Sequence, residues 1–270
     1  MLAAGGVAAG IGGLAGDAFT GATHRVQLTR GDIPVPGLPG ALDGIRVAHL
    51  SDIHLYDGLH EAALRAMQLT REARPDVTIV TGDVVETADQ LEHASVFLAG
   101  IPGRLATVVT LGNWEHAAGV SPGEMNDTCR SAGAQFLLNE AVVLDAGARP
   151  LAIVGLDDPR AGVAYPDRAL RTVPPWAVSL WAFHSPGYAD ELIGSSLPAP
   201  AAIFAGHTHG GQIRPPLLPA ITPPGSGRFV AGWYRDSFAP LYVSRGVGTT
   251  DIRARLFCPP EVGLFTLRSV

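Results

Sequence analysis

Seven side chains in this sequence are of types that bind metal ions, and each stands just past an apolar run. Asp52 and His54 form an Asp-x-His directly after residues 45–50 (IRVAHL). Asp83 follows VTIVT at 77–81 as Gly-Asp, and Asn113 follows ATVVTL at 106–111 as Gly-Asn. His184 ends the run AVSLWAF, and His207 and His209 follow AAIFA as Gly-His-Thr-His. Hard carboxylate and amide oxygens mixed with imidazole nitrogens suit a first-row divalent ion rather than calcium. Seven donors are too many for one tetrahedral site and enough for two ions sharing a bridging carboxylate. Two ions about 3.5–4 Å apart clamp a phosphoryl group, lower the pKa of a bridging water and stabilise the leaving oxygen. The expected chemistry is hydrolysis of a phosphoester or pyrophosphate bond, the metal-bridging hydroxide attacking phosphorus in line. Manganese, iron, zinc and magnesium are all compatible with this donor set.

The spacing says which elements must carry these residues. An Asp behind a strand is ordinarily a turn former or helix cap, and a lone His is ordinarily a hydrogen-bonded structural residue. The order of all seven is what points to metal. Asp83 follows Asp52 by 31 positions and Asn113 follows Asp83 by 30, and a strand–helix–strand unit takes roughly 30 residues or more. Residues 60–73 and 90–99 have helical composition and spacing between the apolar runs. Three successive parallel strands would then deliver Asp52/His54, Asp83 and Asn113 to one carboxyl edge, where open α/β sheets bind ligands. In the second half, residues 135–138, 141–144, 151–155, 177–183, 201–205, 241–244 and 263–267 are short apolar runs bounded by Gly, Pro or Asp. Two packed sheets with helices outside account for so many buried strands. A lead-in strand and linker are expected at 17–43, and long loops at 157–175 and 210–228, the latter with five prolines.

Composition narrows the class. With 270 residues, 47% hydrophobic and 16% charged, the chain is neither disordered nor a coiled coil. A net charge of −6 argues against a nucleic-acid partner. All 19 basic residues are Arg, which fits either phosphate handling by guanidinium groups or codon bias. Cys129 and Cys258 make no disulfide framework or zinc ribbon. Residues 1–24 read as an apolar leader or partial membrane anchor and 25–270 as the catalytic domain. Residues 1–16 carry no charged side chain, yet are too short and Gly-rich for a complete span. A membrane-associated or a cytoplasmic location is compatible with this.

The motifs Asp52-Ile53-His54, Gly82-Asp83, Gly112-Asn113-Trp114-Glu115, FHSPG around His184 and Gly206-His207-Thr208-His209 resemble the calcineurin-like metallophosphoesterase superfamily. The resemblance spans residues 45–270. GHTHGGQIRPP and YVSRGVGTTDIRARLFCPPE look like its bacterial membrane-associated branch, which includes UDP-2,3-diacylglucosamine pyrophosphatase-type enzymes of lipid A biosynthesis. The resemblance implies an α/β fold, a four-layer αββα sandwich of two mixed sheets flanked by helices. It also implies that Asp52, His54 and His209 hold one metal, that Asn113, His184 and His207 hold the other, and that Asp83 bridges them. A phosphorylated small-molecule or lipid-linked substrate is the implied partner, with a membrane surface as a further candidate. A general phosphodiesterase or phosphomonoesterase stays open, as does a non-catalytic scaffold with this fold.

One position departs from the pattern. Where the superfamily commonly has a His that protonates the leaving group, this chain has Trp114, and an indole cannot act as a general acid. Either His116 takes that role, or the leaving group needs little proton help, as a nucleoside monophosphate released from a pyrophosphate would. Arg245 or Arg253 could bind a second substrate anion or form structural ion pairs. The run PPLLPAITPP could wall an acyl chain, touch a membrane, or simply stiffen a loop. His24, His60 and His93 are expected at the surface, and His49 as a satisfied strand residue.

Overall fold

Residues 21–145 and 149–270 are described in a computed structural model. Two six-stranded sheets lie face to face. The first has the order β1 (Gln27–Val35), β12 (Glu261–Ser269), β2 (Arg46–Leu50), β3 (Val77–Thr81), β4 (Ala106–Thr110), β5 (Gln135–Phe136). All its neighbours run parallel except β12 against β2. The second has the order β10 (Gly232–Tyr234), β11 (Leu241–Val243), β9 (Ala202–Ala205), β8 (Val178–Ala182), β7 (Leu151–Gly155), β6 (Glu140–Leu144). Its centre is parallel and its two outer pairs are antiparallel.

The apolar runs explain the layers. β3 and β4 are buried at every position, as strands covered on both faces must be. Because side chains alternate across a strand, Val47, Ile79 and Val108 point into the space between the sheets, where they meet Ile153, Leu180 and Phe204. Their neighbours Ala48, Val80 and Val109 point outward. There they pack on α2 (Glu61–Ala73), α3 (Leu91–Ala99) and α5 (Pro122–Ser131) through Ala63, Met67, Phe97 and Met125. The far side of the second sheet packs Trp181 and Ile203 against Ala169 and Ala189 of the short helices α6 (Pro166–Ala169) and α7 (Tyr188–Glu191). This is the four-layer αββα sandwich that the motifs imply.

Several local expectations change. The stretch 157–175 is not one loop, since it contains α6 and a 3-10 turn at Leu170–Thr172. The helices α4 (Asn113–Ala117) and α5 and the strand β10 have no counterpart in the sequence reading. α5 buries only Met125, Thr128 and Cys129, too thin a stripe to register as periodic. Its start is nonetheless written in Ser121 and Glu124, a capping box with Pro122 in the first turn. His60 is half-buried: its Nδ1 caps α2 by accepting from Ala63 N (3.2 Å), and its Nε2 faces the Ile53 carbonyl at 2.8 Å. Of the expected leader, residues 1–20 lie outside the described residues, and Gly21–His24 forms a short helix, α1. Among the described residues no helix is long and apolar enough to cross a membrane.

His49, on β2, is fully buried between the sheets. Its Nε2 meets Thr81 Oγ1 at 2.9 Å, and its ring lies 5.0 Å from that of Phe204. Burial pushes its pKa down to about 3, against the pull of Asp52. The unfolded chain therefore takes up this proton first, and stability rises with pH between about 3 and 6.5. We expect unfolding free energy, followed by urea titration, to fall as pH drops through that window, by up to about 1.4 kcal/mol per pH unit. A His49→Asn variant should show a shallower dependence.

Candidate metal centre

The loops after β2, β3, β4, β8 and β9 meet at the carboxyl ends of their strands. Five of the seven predicted residues adopt left-handed backbone: Asp52 (φ 54°), His54 (52°), Asp83 (53°), His207 (71°) and His209 (50°). Such conformations cost non-glycine residues on the order of 1–3 kcal/mol each and persist only where surroundings hold them. Backbone pairing beyond the strands supplies part of the hold. Asp52 N donates to Gly82 O (3.1 Å), His54 N to Asp83 O (3.0 Å) and Leu55 N to Val84 O (2.9 Å). The loops after β3 and β4 touch at Gly82 and Gly112. A Cβ on Gly82 would strike the Gly112 backbone, and one on Gly112 would strike Asp83.

The other part of the hold comes from Glu115, on the first turn of α4. Fully buried, its carboxylate accepts from Asp83 N (2.9 Å), Val84 N (2.5 Å), Val85 N (3.1 Å) and Gly112 N (2.8 Å). In the sequence, Glu115 stands in a motif without an evident task; the one signal for it is its place three residues after Gly112, a capping position.

All seven predicted residues gather in one buried cluster. Asp52, His54 and His209 present ligand atoms within 4.8 Å of one another, and so do Asp83, His184 and His207. His54 Nε2 lies 3.0 Å from His209 Nε2, and His209 Nε2 lies 3.3 Å from Asp52 Oδ1. His184 Nε2 lies 3.0 Å from Asp83 Oδ2, which is also 3.7 Å from His54 Nε2. One Asp83 oxygen thus sits between the two groups, where a bridging ligand belongs. Asn113 Oδ1 is met by His207 Nδ1 at 2.7 Å and His184 Nε2 at 3.1 Å. The outward nitrogens are anchored, His184 Nδ1 to Thr81 O (2.7 Å) and His207 Nε2 to Pro224 O (2.9 Å). Donation to these carbonyls turns the other ring nitrogens toward the cluster, where each offers a lone pair once it carries no proton. Inward lone pairs, two buried carboxylates and an amide oxygen fit divalent cations well.

The two carboxylates act strongly on the imidazoles beside them. Although burial opposes it, Asp83 and Asp52 hold the His184 pKa well above its ordinary value. Burial, His54 and Arg255 push His209 well below. Glu86, three residues past Asp83, is pulled to about 2; burial would raise it, but the hydrogen bonds from Arg253 and the nearness of the His54 ring prevail.

A cavity of about 640 Å³ opens from Asp83, Asn113, His207 and His209. Its walls are Trp114, Ile213, Pro215, Leu218, Ile221 and Ile252 among others. Trp114 stands edge-on to His54 with centroids 5.5 Å apart. His116 is not among the lining residues; its Nε2 bonds Asp157 Oδ1 at 2.7 Å, which raises its pKa. Arg245 also lies off the lining, committed to Glu261 at 2.7 Å and reaching Gln27 and Thr29. Arg253 is bidentate to Glu86, at 2.7 and 2.5 Å. Both arginines are thus in ion pairs.

Two outcomes follow. Glu115→Gln turns an acceptor into a donor facing amide N–H groups and should lower unfolding free energy by about 2–4 kcal/mol in chemical denaturation. His184 must release its Nε2 proton before that nitrogen can hold an ion. Manganese affinity by calorimetry should therefore be weaker at pH 6 than at pH 8.

A family model described as calcineurin-like phosphoesterase matches residues 45–211. The chain is 30% identical over 252 residues to an uncharacterized metallophosphoesterase of Bacillus subtilis, YkuE, covering 91% of this chain and 87% of that one. It is 30% identical to the phosphodiesterase YaeI of Escherichia coli over 82% of each chain. It is 26% identical to the UDP-2,3-diacylglucosamine pyrophosphatase LpxG of Chlamydia muridarum over 88% of each. With a family match over more than half its length and motif residues that converge on one buried cluster, the chain belongs to the calcineurin-like phosphoesterases, a family of metal-dependent phosphoester hydrolases.

Proposed function

We propose that this hydrolase uses two divalent ions to cleave a phosphodiester or pyrophosphate bond in a substrate with an apolar tail. The nucleotide-linked acyl sugar named for its Chlamydia relative is the first candidate. The observation that carries the reading is the cavity, whose polar end is the cluster and whose remaining walls are largely apolar. An apolar wall of this size has no use for a small inorganic or sugar phosphate, whereas burying each methylene of an acyl chain contributes about 0.8 kcal/mol.

When bound, the two ions supply Lewis acidity, lowering the pKa of water and offsetting charge on the phosphoryl oxygens. The protein's part is placement. Asp52, His54 and His209 are read as holding one ion, Asn113, His184 and His207 the other, with Asp83 shared. Asn113 also faces the cavity, where its amide can orient a phosphoryl oxygen. Trp114 occupies the wall where an acid would stand and excludes water from the His54 side. With His116 bonded to Asp157 away from the lining, the leaving group is one that departs without a proton, which a nucleoside monophosphate does. Leu217, Leu218 and Ile221 are 103%, 65% and 85% exposed beside the cavity, which supports a membrane surface as the place where the substrate is met.

With manganese present, we expect turnover of UDP-2,3-diacylglucosamine to exceed that of bis(p-nitrophenyl) phosphate and p-nitrophenyl phosphate in kcat/KM. Replacing Leu218 and Ile221 together by Ser should raise KM for the acylated substrate about tenfold, roughly 1.4 kcal/mol, and leave the chromogenic diester unaffected. Equal turnover of all three, or equal damage to all three, would sink the acyl reading in favour of a general phosphodiesterase. No turnover with manganese, iron, zinc or magnesium would sink the catalytic one.

A further inference from the structure

The four imidazoles of the cluster differ in what stands behind them. His184 and His207 turn their outward nitrogens to neutral backbone carbonyls, of Thr81 and Pro224. The outward Nδ1 of His54 is buried without a hydrogen-bond partner and faces a carboxylate instead, with Glu86 Oε1 at 3.4 Å. Behind the outward Nδ1 of His209 stands the Arg255 guanidinium, at 3.5 Å. The Asp52/His54/His209 group is therefore backed by charges and the Asp83/His184/His207 group by dipoles.

Glu86 is well fixed for such a task. Its backbone N donates to Leu55 O at 3.0 Å, in the short pairing of Leu55 with Val85 that continues the loops after β2 and β3. Its two oxygens accept from the two terminal nitrogens of Arg253, whose guanidinium lies 3.9 Å above the Tyr56 ring. Carboxylate, loop and arginine thus form one clamp on the solvent side of His54.

We infer that Glu86 is a positioning residue for the ion held by Asp52, His54 and His209. Its carboxylate takes the Nδ1 proton of His54 in a hydrogen bond, fixes the tautomer with Nε2 free toward the cluster, and makes that nitrogen a stronger donor. Arg253 keeps the carboxylate in place and tempers its charge. Carboxylates behind a metal-bound imidazole commonly change metal affinity by about 10–100-fold when removed. The two ion positions are consequently unequal, and only one depends on Glu86. This inference rests on the two-ion reading above.

The test is manganese binding to the full chain, read by equilibrium dialysis with elemental analysis and by electron paramagnetic resonance of the bound ions. Wild type should take up two ions and show spin coupling between them. Glu86→Ala should weaken one ion about 10–100-fold and leave the other at its original affinity, so that at limiting manganese an uncoupled single-ion spectrum replaces the coupled one. Glu86→Gln retains an acceptor for Arg253 and for His54 Nδ1, and should fall between the two. Should Glu86→Ala fail to fold, the Gln variant alone decides: selective weakening of one ion supports the inference. Unchanged binding of both ions, or equal weakening of both, overturns it while the two-ion reading stands. A wild-type chain that takes up no divalent ion overturns both.

Discussion

Everything at the centre leans on one buried anion. Glu115 collects amide N–H groups from the loop after β3 and from the start of α4, so a single carboxylate ties two strand ends together. Its four acceptor contacts leave Asp83 with a fixed backbone, and Asp83 is the residue that sits between both ligand groups. Hydrogen bonds to a charged acceptor are worth roughly 1.5–3 kcal/mol each. That is the right scale to offset the left-handed conformations of the neighbouring candidate ligands. The strained geometry and the carboxylate belong to one design: the loops bend sharply to aim side chains inward, and Glu115 absorbs the amides that the bend leaves without partners.

The sheets contribute differently. The first brings Asp52, His54, Asp83 and Asn113 from consecutive parallel strands; the second brings His184, His207 and His209. His207 N donates to both oxygens of Asp52, at 3.0 and 3.1 Å, so the two halves are stitched at the centre by a backbone amide as well as by side chains. The apolar layer between the sheets, from Val47 to Phe204, is what keeps those halves at a constant separation.

Much of this was legible in the sequence because strand length and crossover length are nearly fixed. Once the runs ending at Leu50, Thr81 and Leu111 read as parallel strands, Asp52, Asp83 and Asn113 had to share an edge. What was not legible depended on three-dimensional neighbours. Glu115 looks like any helix-start acid until the β3 loop is seen folded over it. Glu86 is one Glu in a polar loop until Arg253, 167 positions away, closes on it. Nothing in its own type or neighbours marked His60 as a cap, because imidazoles cap helices far less often than Ser, Thr, Asp or Asn. The short helix α6 inside 157–175 fell below the length at which periodicity can be read.

The loop that carries the five prolines has two ends with different employers. Leu218 and Ile221 line the cavity, and a few residues on, the Pro224 carbonyl holds the outward nitrogen of His207. Proline leaves little slack in the backbone between them. On the proposed reading, a tail pressing on that wall would share a stiff strut with a residue of the cluster, so that occupancy of the apolar end would be felt at His207.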